Sequence, residues 1–152
     1  GIPNVGKSTL INFIAKKNIT QTANTPGFTK NIRWVKVKNL LLMDTPGVLQ
    51  PQFEDKIKGI NLALIGSIKE QILPISDLAN YCLNFLKENY SKELMERYKL
   101  NKIDSNEEIF EKIAENRGFL LKNNEIDIEK AQIILLNEFK NGVICKYTLD
   151  II

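Results

Sequence analysis

The chain has 152 residues, of which 43% are apolar and 26% are charged, as in ordinary globular domains. Its net charge is +3, but residues 1–58 carry nine basic and three acidic side chains and residues 59–152 carry twelve and fifteen, so the first part is the better candidate for anion binding. No apolar stretch approaches the roughly 20 residues of a membrane-spanning helix, and the absence of histidine excludes histidine metal ligands, catalytic triads and histidine general bases from this chain.

The first eight residues, Gly-Ile-Pro-Asn-Val-Gly-Lys-Ser, have the spacing of a phosphate-binding loop, G-x-x-x-x-G-K-[ST]. The glycines allow backbone N–H groups to point at phosphate oxygens, and an amphipathic helix over residues 7–17 adds its positive N-terminus. Lys7 is expected to reach the β- and γ-phosphates and Ser8 to bind Mg²⁺. The predicted nucleotide contacts in this motif are Gly1, Asn4, Val5, Gly6, Lys7, Ser8 and Thr9. The alternative is a glycine-containing turn before an ordinary helix.

Two strands are predicted next, over residues 32–37 and 40–43, and the second ends on Asp-Thr-Pro-Gly at residues 44–47. Asp44, at the end of an apolar strand, is expected to hold Mg²⁺ through water, and the N–H of Gly47 to contact a γ-phosphate. Thr29, in the segment Pro-Gly-Phe-Thr, is expected to complete the Mg²⁺ shell when the γ-phosphate is present. Because a phosphate loop normally follows a buried strand, we expect this sequence to be a piece of a longer protein.

The second half has the periodicity of helices. Apolar residues between positions 75 and 86 predict the clearest helix, with Ser76 or Asp77 as its N-cap. Two further apolar stripes are expected to end at Gly118 and Gly142. For residues 143–149 the pattern leaves open a short terminal strand or a docked tail.

Residues 101–104, Asn-Lys-Ile-Asp, spell the guanine-recognition signature of GTPases with the usual motif order. That signature requires a buried strand to deliver Asn101 and Asp104, but the preceding residues are charged and helical in period. Ser105 and Glu108 form the spacing of a capping box that begins another helix. We therefore interpret residues 101–104 as a polar link between two helices.

Residues 1–8, 26–29 and 44–47 resemble the phosphate-loop, switch I and switch II motifs of the translation-factor-like GTPases. Together with residues 34–37, 53–55 and 62–68, they make the chain similar to the ribosome-biogenesis GTPase A family, the circularly permuted GTPases of bacterial large-subunit assembly. The resemblance implies an α/β P-loop GTPase domain, partial and circularly permuted, over residues 1–68. It implies an all-α, ANTAR-like domain that contacts ribosomal RNA over residues 69–152.

This resemblance implies a cytoplasmic enzyme that hydrolyses GTP with Mg²⁺ and thereby times its release from a maturing large ribosomal subunit, with no membrane or DNA partner. Val48 occupies the position of the glutamine that orients water in Ras-like enzymes, so the catalytic group is not assigned. Asn4 matches the asparagine associated with K⁺ in related GTPases. Two alternatives stay open: an unpermuted P-loop GTPase or ATPase using Asn101 and Asp104, and a helical RNA- or protein-binding module with a nucleotide-site remnant that does not turn over.

Two basic clusters are candidates for RNA contact. The stronger group is Lys16, Lys17, Lys30, Arg33, Lys36 and Lys38. A weaker group is Lys92, Arg97, Lys99 and Lys102, for which a solvated helix face is the competing interpretation. The net negative charge of residues 59–152 argues against extensive phosphate binding by that part, so RNA contact there follows from the resemblance.

Overall fold

The computed structural model describes residues 2–17, 19, 31–48, 56–68, 73–102 and 105–149. The chain divides into two compact units, which we call the first unit, Gly1–Lys69, and the helical unit, Glu70–Ile152. The first unit contains α1 (Lys7–Ala15), β1 (Arg33–Val37), β2 (Leu40–Asp44) and α2 (Lys56–Leu64). The helical unit contains α3 (Ile75–Asn89), α4 (Ser91–Tyr98), α5 (Asn106–Arg117) and α6 (Ile128–Lys140). None of the described helices is long and apolar enough to cross a membrane.

Helix α1 follows Gly6 directly and packs against β1 and β2, with Ile11 as its buried residue. It ends at Ala15, before the predicted end at Lys17. The reason is local: Lys16 adopts a left-handed conformation with φ of 53°, and its N–H bonds back to the carbonyl of Phe13 at 3.2 Å. This geometry closes the last turn of the helix.

Strands β1 and β2 form an antiparallel hairpin whose register runs from Arg33 opposite Asp44 to Val37 opposite Leu40. Lys38, with φ of 50°, lies in the turn between the two strands. The strands run over residues 33–37 and 40–44 rather than 32–37 and 40–43, because Asp44 pairs with Arg33 as the last member of the ladder. The hairpin therefore delivers a carboxylate at the end of its second strand.

Helix α2 precedes the boundary between the units and ends in a glycine motif. Gly66 has φ of 71°, its N–H bonds to the carbonyl of Ala63 at 2.9 Å, and the N–H of Ser67 bonds to the carbonyl of Leu62 at 2.8 Å. This is the Schellman pattern, in which a residue with positive φ ends a helix. The sequence analysis did not predict a helix here.

Helix α3 begins at Ile75, so the prediction of Ser76 or Asp77 as its N-cap was wrong. Pro74 occupies the cap position and has no side chain that can cap; instead its carbonyl accepts the N–H of Asp77 at 3.1 Å. Asp77 lies in the first turn, where a carboxylate favours the helix dipole. The predicted helix is otherwise present, and α3 buries its apolar stripe.

The link between α4 and α5 contains the Asn-Lys-Ile-Asp segment. Asn101 and Lys102 are exposed and follow a helix rather than a strand, as predicted, while residues 103 and 104 lie outside the described residues. The capping box is confirmed: Ser105 Oγ accepts the N–H of Glu108 at 3.3 Å, and the carboxylate of Glu108 accepts the N–H of Ser105 at 3.2 Å. Gly118, with φ of 65°, ends α5 as predicted.

The end of the described chain is a docked tail rather than a strand, which settles the alternative left open for residues 143–149. Gly142, with φ of 64°, ends the turn after α6, and Ile144 is buried. The ring of Tyr147 stacks on that of Phe139 with centroids 3.9 Å apart. The fully buried large side chains of the helical unit are Leu78, Cys82, Leu83, Leu86, Leu94, Ile109, Phe110, Ile113, Leu135 and Phe139.

One carboxylate lies within this helical packing. Glu138, on α6, is 8% exposed. It accepts hydrogen bonds from Arg97 Nε and Nη2 at 2.9 and 2.6 Å, from Arg117 Nη2 at 2.8 Å and from the Tyr98 hydroxyl at 2.9 Å. Burial acts to raise the pKa of Glu138, but the bonds from Arg97 and Tyr98 and the charge of Arg117 outweigh it and lower the pKa. The network joins α4, α5 and α6.

Candidate nucleotide-binding site

The residues after the loop begin a helix whose N-terminus carries no side-chain cap. Gly6 is the N-cap of α1 and has φ of 84°. A Cβ at this position would meet no atom within 4 Å, so the left-handed backbone, not space, is what requires glycine. Because the cap residue has no side chain to bond the first N–H groups, the helix end can present them, with its positive dipole, to an anion.

Lys7, the first residue of α1, lies over the loop. Its Nζ donates to the carbonyl of Ile2 at 2.7 Å. An ammonium carries several N–H donors, so this bond orients the side chain across the loop and leaves capacity for phosphate oxygens. Val5 is half exposed, and Thr9 is exposed in the first turn of the helix.

Ser8 and Asp44 are 36 residues apart in sequence and meet in the structure. The hydroxyl of Ser8 donates to Asp44 Oδ2 at 2.8 Å. Asp44 is 2% exposed, and its Oδ1 has no hydrogen-bond partner among the described residues. A buried carboxylate oxygen without a partner is costly unless a cation or water satisfies it. A hydroxyl and a carboxylate are the hard oxygen ligands that Mg²⁺ prefers, so the two residues fit that ion.

The remaining ligands of such an ion would come from elsewhere. Among the described residues, no group of three or more cysteine, aspartate or glutamate side chains is arranged to hold a metal ion. Mg²⁺ bound to one or two protein side chains together with phosphate oxygens is the usual arrangement in nucleotide sites. Thr29, the other predicted ligand, lies outside the described residues, as does Gly1.

Gly47 lies against the phosphate loop. A Cβ on Gly47 would be 2.4 Å from the Cα of Pro3 and 2.5 Å from its nitrogen, which no side chain can tolerate without moving the backbone. The contact explains why a glycine follows Pro46, independently of any contact with phosphate. The next residue, Val48, is 74% exposed.

Gly66 and Ser67, which the sequence analysis did not assign to the site, hold the loop from the end of α2. Asn4, with φ of 60°, donates from Nδ2 to the carbonyl of Gly66 at 3.1 Å. The hydroxyl of Ser67, which is 0% exposed, donates to the carbonyl of Pro3 at 2.9 Å. In the sequence, these residues are a Gly-Ser pair that follows an apolar run. Such a pair is typical of a helix end, but it does not indicate which distant residues the pair contacts.

The basic clusters differ in how many cations they present. Lys16, Lys17, Arg33, Lys36 and Lys38 are all exposed, and Lys30 lies outside the described residues. In the second cluster, Arg97 is committed to the bidentate pair with Glu138. That pair weakens the second cluster as a candidate for phosphate contact.

The family model described as 50S ribosome-binding GTPase matches residues 1–137. The chain belongs to the 50S ribosome-binding GTPase family. The match contains the phosphate loop, the Ser8–Asp44 pair and Gly47, and it confirms the predicted P-loop GTPase domain.

Relatives and solved structures agree with this assignment. The ribosome biogenesis GTPase A of Bacillus cereus is 47% identical over 152 residues, which are 99% of this chain and 51% of the relative. That of Bacillus licheniformis is 48% identical over 144 residues, 92% of this chain and 50% of the relative. The crystal structure of GNP-bound YlqF from T. maritima matches with a TM-score of 0.58 and 27% identity, covering 93% of this chain and 53% of that one.

These matches confirm the resemblance to the ribosome-biogenesis GTPase A family. The chain spans about half the length of the curated relatives it matches. The assignment of residues 69–152 to an ANTAR-like domain stays a prediction, as do the roles of the individual site residues.

Proposed function

We propose that the protein carrying this chain binds and hydrolyses GTP and serves as an assembly factor of the large ribosomal subunit, which it leaves after hydrolysis. The observation that supports nucleotide chemistry most directly is the Ser8–Asp44 pair beside the phosphate loop, in which one carboxylate oxygen has no hydrogen-bond partner within the described part of the chain. The names of the matched relatives support the role in ribosome biogenesis. We also propose a cytoplasmic location, which follows from that role.

In this proposal each site residue has one task. The backbone N–H groups of the loop and of the first turn of α1, with Val5 and Thr9 among them, hold the phosphates, and Lys7 places its ammonium on the β- and γ-oxygens. Ser8 and Asp44 hold Mg²⁺, with Thr29 as a further ligand. The ion, when bound, neutralises charge between the β- and γ-phosphates. Gly1 and Gly6 allow the close approach of backbone to phosphate.

Gly47 and Thr29 are the proposed sensors of the γ-phosphate. A switch needs residues whose contacts differ between the triphosphate and diphosphate states, and an N–H at the start of switch II provides such a contact. Because Gly47 also touches Pro3, a movement of Gly47 toward the γ-phosphate would change its packing on the loop. Release from the ribosomal particle would follow from that change.

Val48 cannot orient water for attack, so hydrolysis needs another source of charge stabilisation. We propose K⁺ held through Asn4. The amide nitrogen of Asn4 is engaged by the carbonyl of Gly66, which fixes the side chain and leaves Oδ1 as the atom able to bind a cation. The test is GTP turnover by the intact protein in KCl and in NaCl; equal rates would contradict the role of K⁺, whereas a rate lower in NaCl for wild type but not for Asn4→Ala would support it.

We propose the circularly permuted motif order, with the guanine-contacting residues outside the 152 residues of this chain. The support is that Asn101 follows helix α4, so no strand delivers the Asn-Lys-Ile-Asp segment to a base. Ribosomal RNA is the proposed partner of the helical unit and of the exposed basic group of the first unit. Loss of large-subunit precursor binding on replacing Arg33, Lys36 and Lys38 by alanine would support a contact by that group.

The deciding experiment is an equilibrium titration with a fluorescent GTP analogue in Mg²⁺ and K⁺, competed separately by GTP and by ATP. It is carried out on the intact protein and on the 152-residue chain. We expect the intact protein to prefer GTP and the chain alone to bind weakly without base preference. Tight, GTP-selective binding by the chain alone would instead assign guanine recognition to Asn101 and Asp104 and reverse the motif order.

A further inference from the structure

The end of α2 has two polar groups that its own helix termination does not use. The N–H groups of Gly66 and Ser67 bond to the carbonyls of Ala63 and Leu62 and thereby close the helix. The carbonyl of Gly66 and the hydroxyl of Ser67 are left to bond elsewhere. The left-handed conformation of Gly66, with φ of 71°, makes this arrangement possible.

Both groups bond to adjacent residues of the phosphate loop. Ser67 Oγ donates to the carbonyl of Pro3 at 2.9 Å, and the carbonyl of Gly66 accepts Asn4 Nδ2 at 3.1 Å. Ser67 is 0% exposed, so water cannot take over its bond if the hydroxyl is lost. The loop is thus fastened by residues that follow it by 62 and 64 positions.

Pro3 is held from a second side by Gly47, whose backbone lies too close to Pro3 to carry a side chain. The loop residues between Pro3 and Lys7 must aim their N–H groups before nucleotide arrives, because donors that are already oriented bind charge without the cost of reorganisation. We propose that Ser67 is a positioning residue, which holds Pro3 and thereby the phosphate loop in the conformation that binds nucleotide. This inference rests on the proposed GTP binding.

The test is nucleotide affinity of the intact Ser67→Ala protein, measured with GDP and with a non-hydrolysable GTP analogue. Loss of one buried hydrogen bond is expected to weaken both affinities about 2- to 10-fold, equally for the two nucleotides, since the loop serves both. Two further variants, Ser67→Thr and Ser67→Val, have side chains of the same shape, but only threonine retains the hydroxyl. We expect Ser67→Thr to bind at least 2-fold more tightly than Ser67→Val, a difference that does not depend on whether alanine is tolerated.

Ser105→Ala provides the control for a general loss of stability, because it removes a helix cap in the helical unit and nothing from the loop. It is expected to lower the melting temperature without changing nucleotide affinity. Unchanged affinity in Ser67→Ala, or equal affinities in the Thr and Val variants, would overturn the positioning role while leaving GTP binding intact. Absence of nucleotide binding by the wild type would instead overturn the proposed function itself.

Discussion

The first unit and the helical unit differ in how far their apolar side chains are exposed. In the helical unit, residues such as Leu83, Ile113 and Phe139 are 0% exposed. In the first unit, Phe13 is 79% exposed and Trp34 is 61% exposed. The helical unit therefore encloses an apolar core, whereas the described part of the first unit combines a few buried apolar residues, such as Val35 and Leu64, with hydrogen bonds and a glycine contact around the phosphate loop. Substitutions in the first unit are therefore expected to change nucleotide affinity, and substitutions in the helical unit to change the free energy of unfolding.

The largest effect is expected from Lys7→Ala in the intact protein. Loss of the ammonium that we propose contacts the β- and γ-phosphates should weaken Mg²⁺-GTP binding by about 100-fold or more. An equilibrium titration measures this, and thermal unfolding of the helical unit should not change. Lys17→Ala, which removes the same charge from an exposed position after α1, is the matched control. Retained affinity in Lys7→Ala would count against the nucleotide site.

Phe139→Ala should lower the stability of the helical unit and leave nucleotide affinity unchanged, the reverse of Lys7→Ala. The ring is 0% exposed, stacks on Tyr147 and meets Phe85 edge to face at 6.0 Å, so its removal is expected to cost about 3–5 kcal/mol of folding free energy. Denaturant unfolding followed by circular dichroism measures the loss. Leu120→Ala, at a position 56% exposed, should change stability by less than about 0.5 kcal/mol. Nucleotide affinity weakened in parallel with stability would show that the units are not energetically separate.

Glu138→Gln tests the polar network in the helical unit. Replacing the carboxylate by an amide weakens the bonds from Arg97 and Arg117, whose side chains are 35% and 33% exposed, at an expected cost of about 2 kcal/mol near neutral pH. Because folding lowers the pKa of Glu138, its contribution is present above the usual value of 4.5 and is lost as pH falls through the lower folded pKa. Urea unfolding between neutral pH and pH 3 should therefore lose less stability in the variant than in wild type. Identical pH profiles would contradict this assignment.

The smallest effect is expected from Ser105→Ala, which removes the side-chain oxygen of the capping box at about 1 kcal/mol. Ser76→Ala is the matched control, because Ser76 lies in the first turn of α3 and does not cap it. Unfolding curves of the two variants should differ by that amount. Equal stabilities would mean that the capping box contributes nothing measurable to the helical unit.

Local features of both units could be predicted from the sequence. The phosphate loop is a contiguous pattern, and Gly6 adopts the left-handed backbone that the pattern requires. The capping box at Ser105 and the helix end at Gly118 depend on residues a few positions apart, so spacing and residue type suffice. The N-cap of α3 was predicted incorrectly because the helix begins at Ile75, directly after Pro74 and before the polar residues that were expected to cap it.

The missed features have partners distant in the sequence. Gly66 and Ser67 look like an ordinary helix end until Pro3 and Asn4 are brought beside them. Glu138 lies on a helix whose pattern predicts only an apolar stripe, and its burial is tolerated because Arg97, Arg117 and Tyr98 converge on it from α4 and α5. Neither arrangement has a periodic signature, since each depends on how separate helices pack.

By itself, the sequence determined the phosphate loop, the polar ends of the helices and the apolar stripes, because these follow from hydrogen bonds and side-chain spacing within a few residues. The motifs placed Ser8 and Asp44 at one Mg²⁺ site, and the structure brings them into direct contact across 36 residues. Tertiary structure alone decided that Ser67 meets Pro3 across 64 residues and that Glu138 is buried with two arginines. Such contacts form only when packing brings distant segments together and excludes the water that would otherwise satisfy their polar groups.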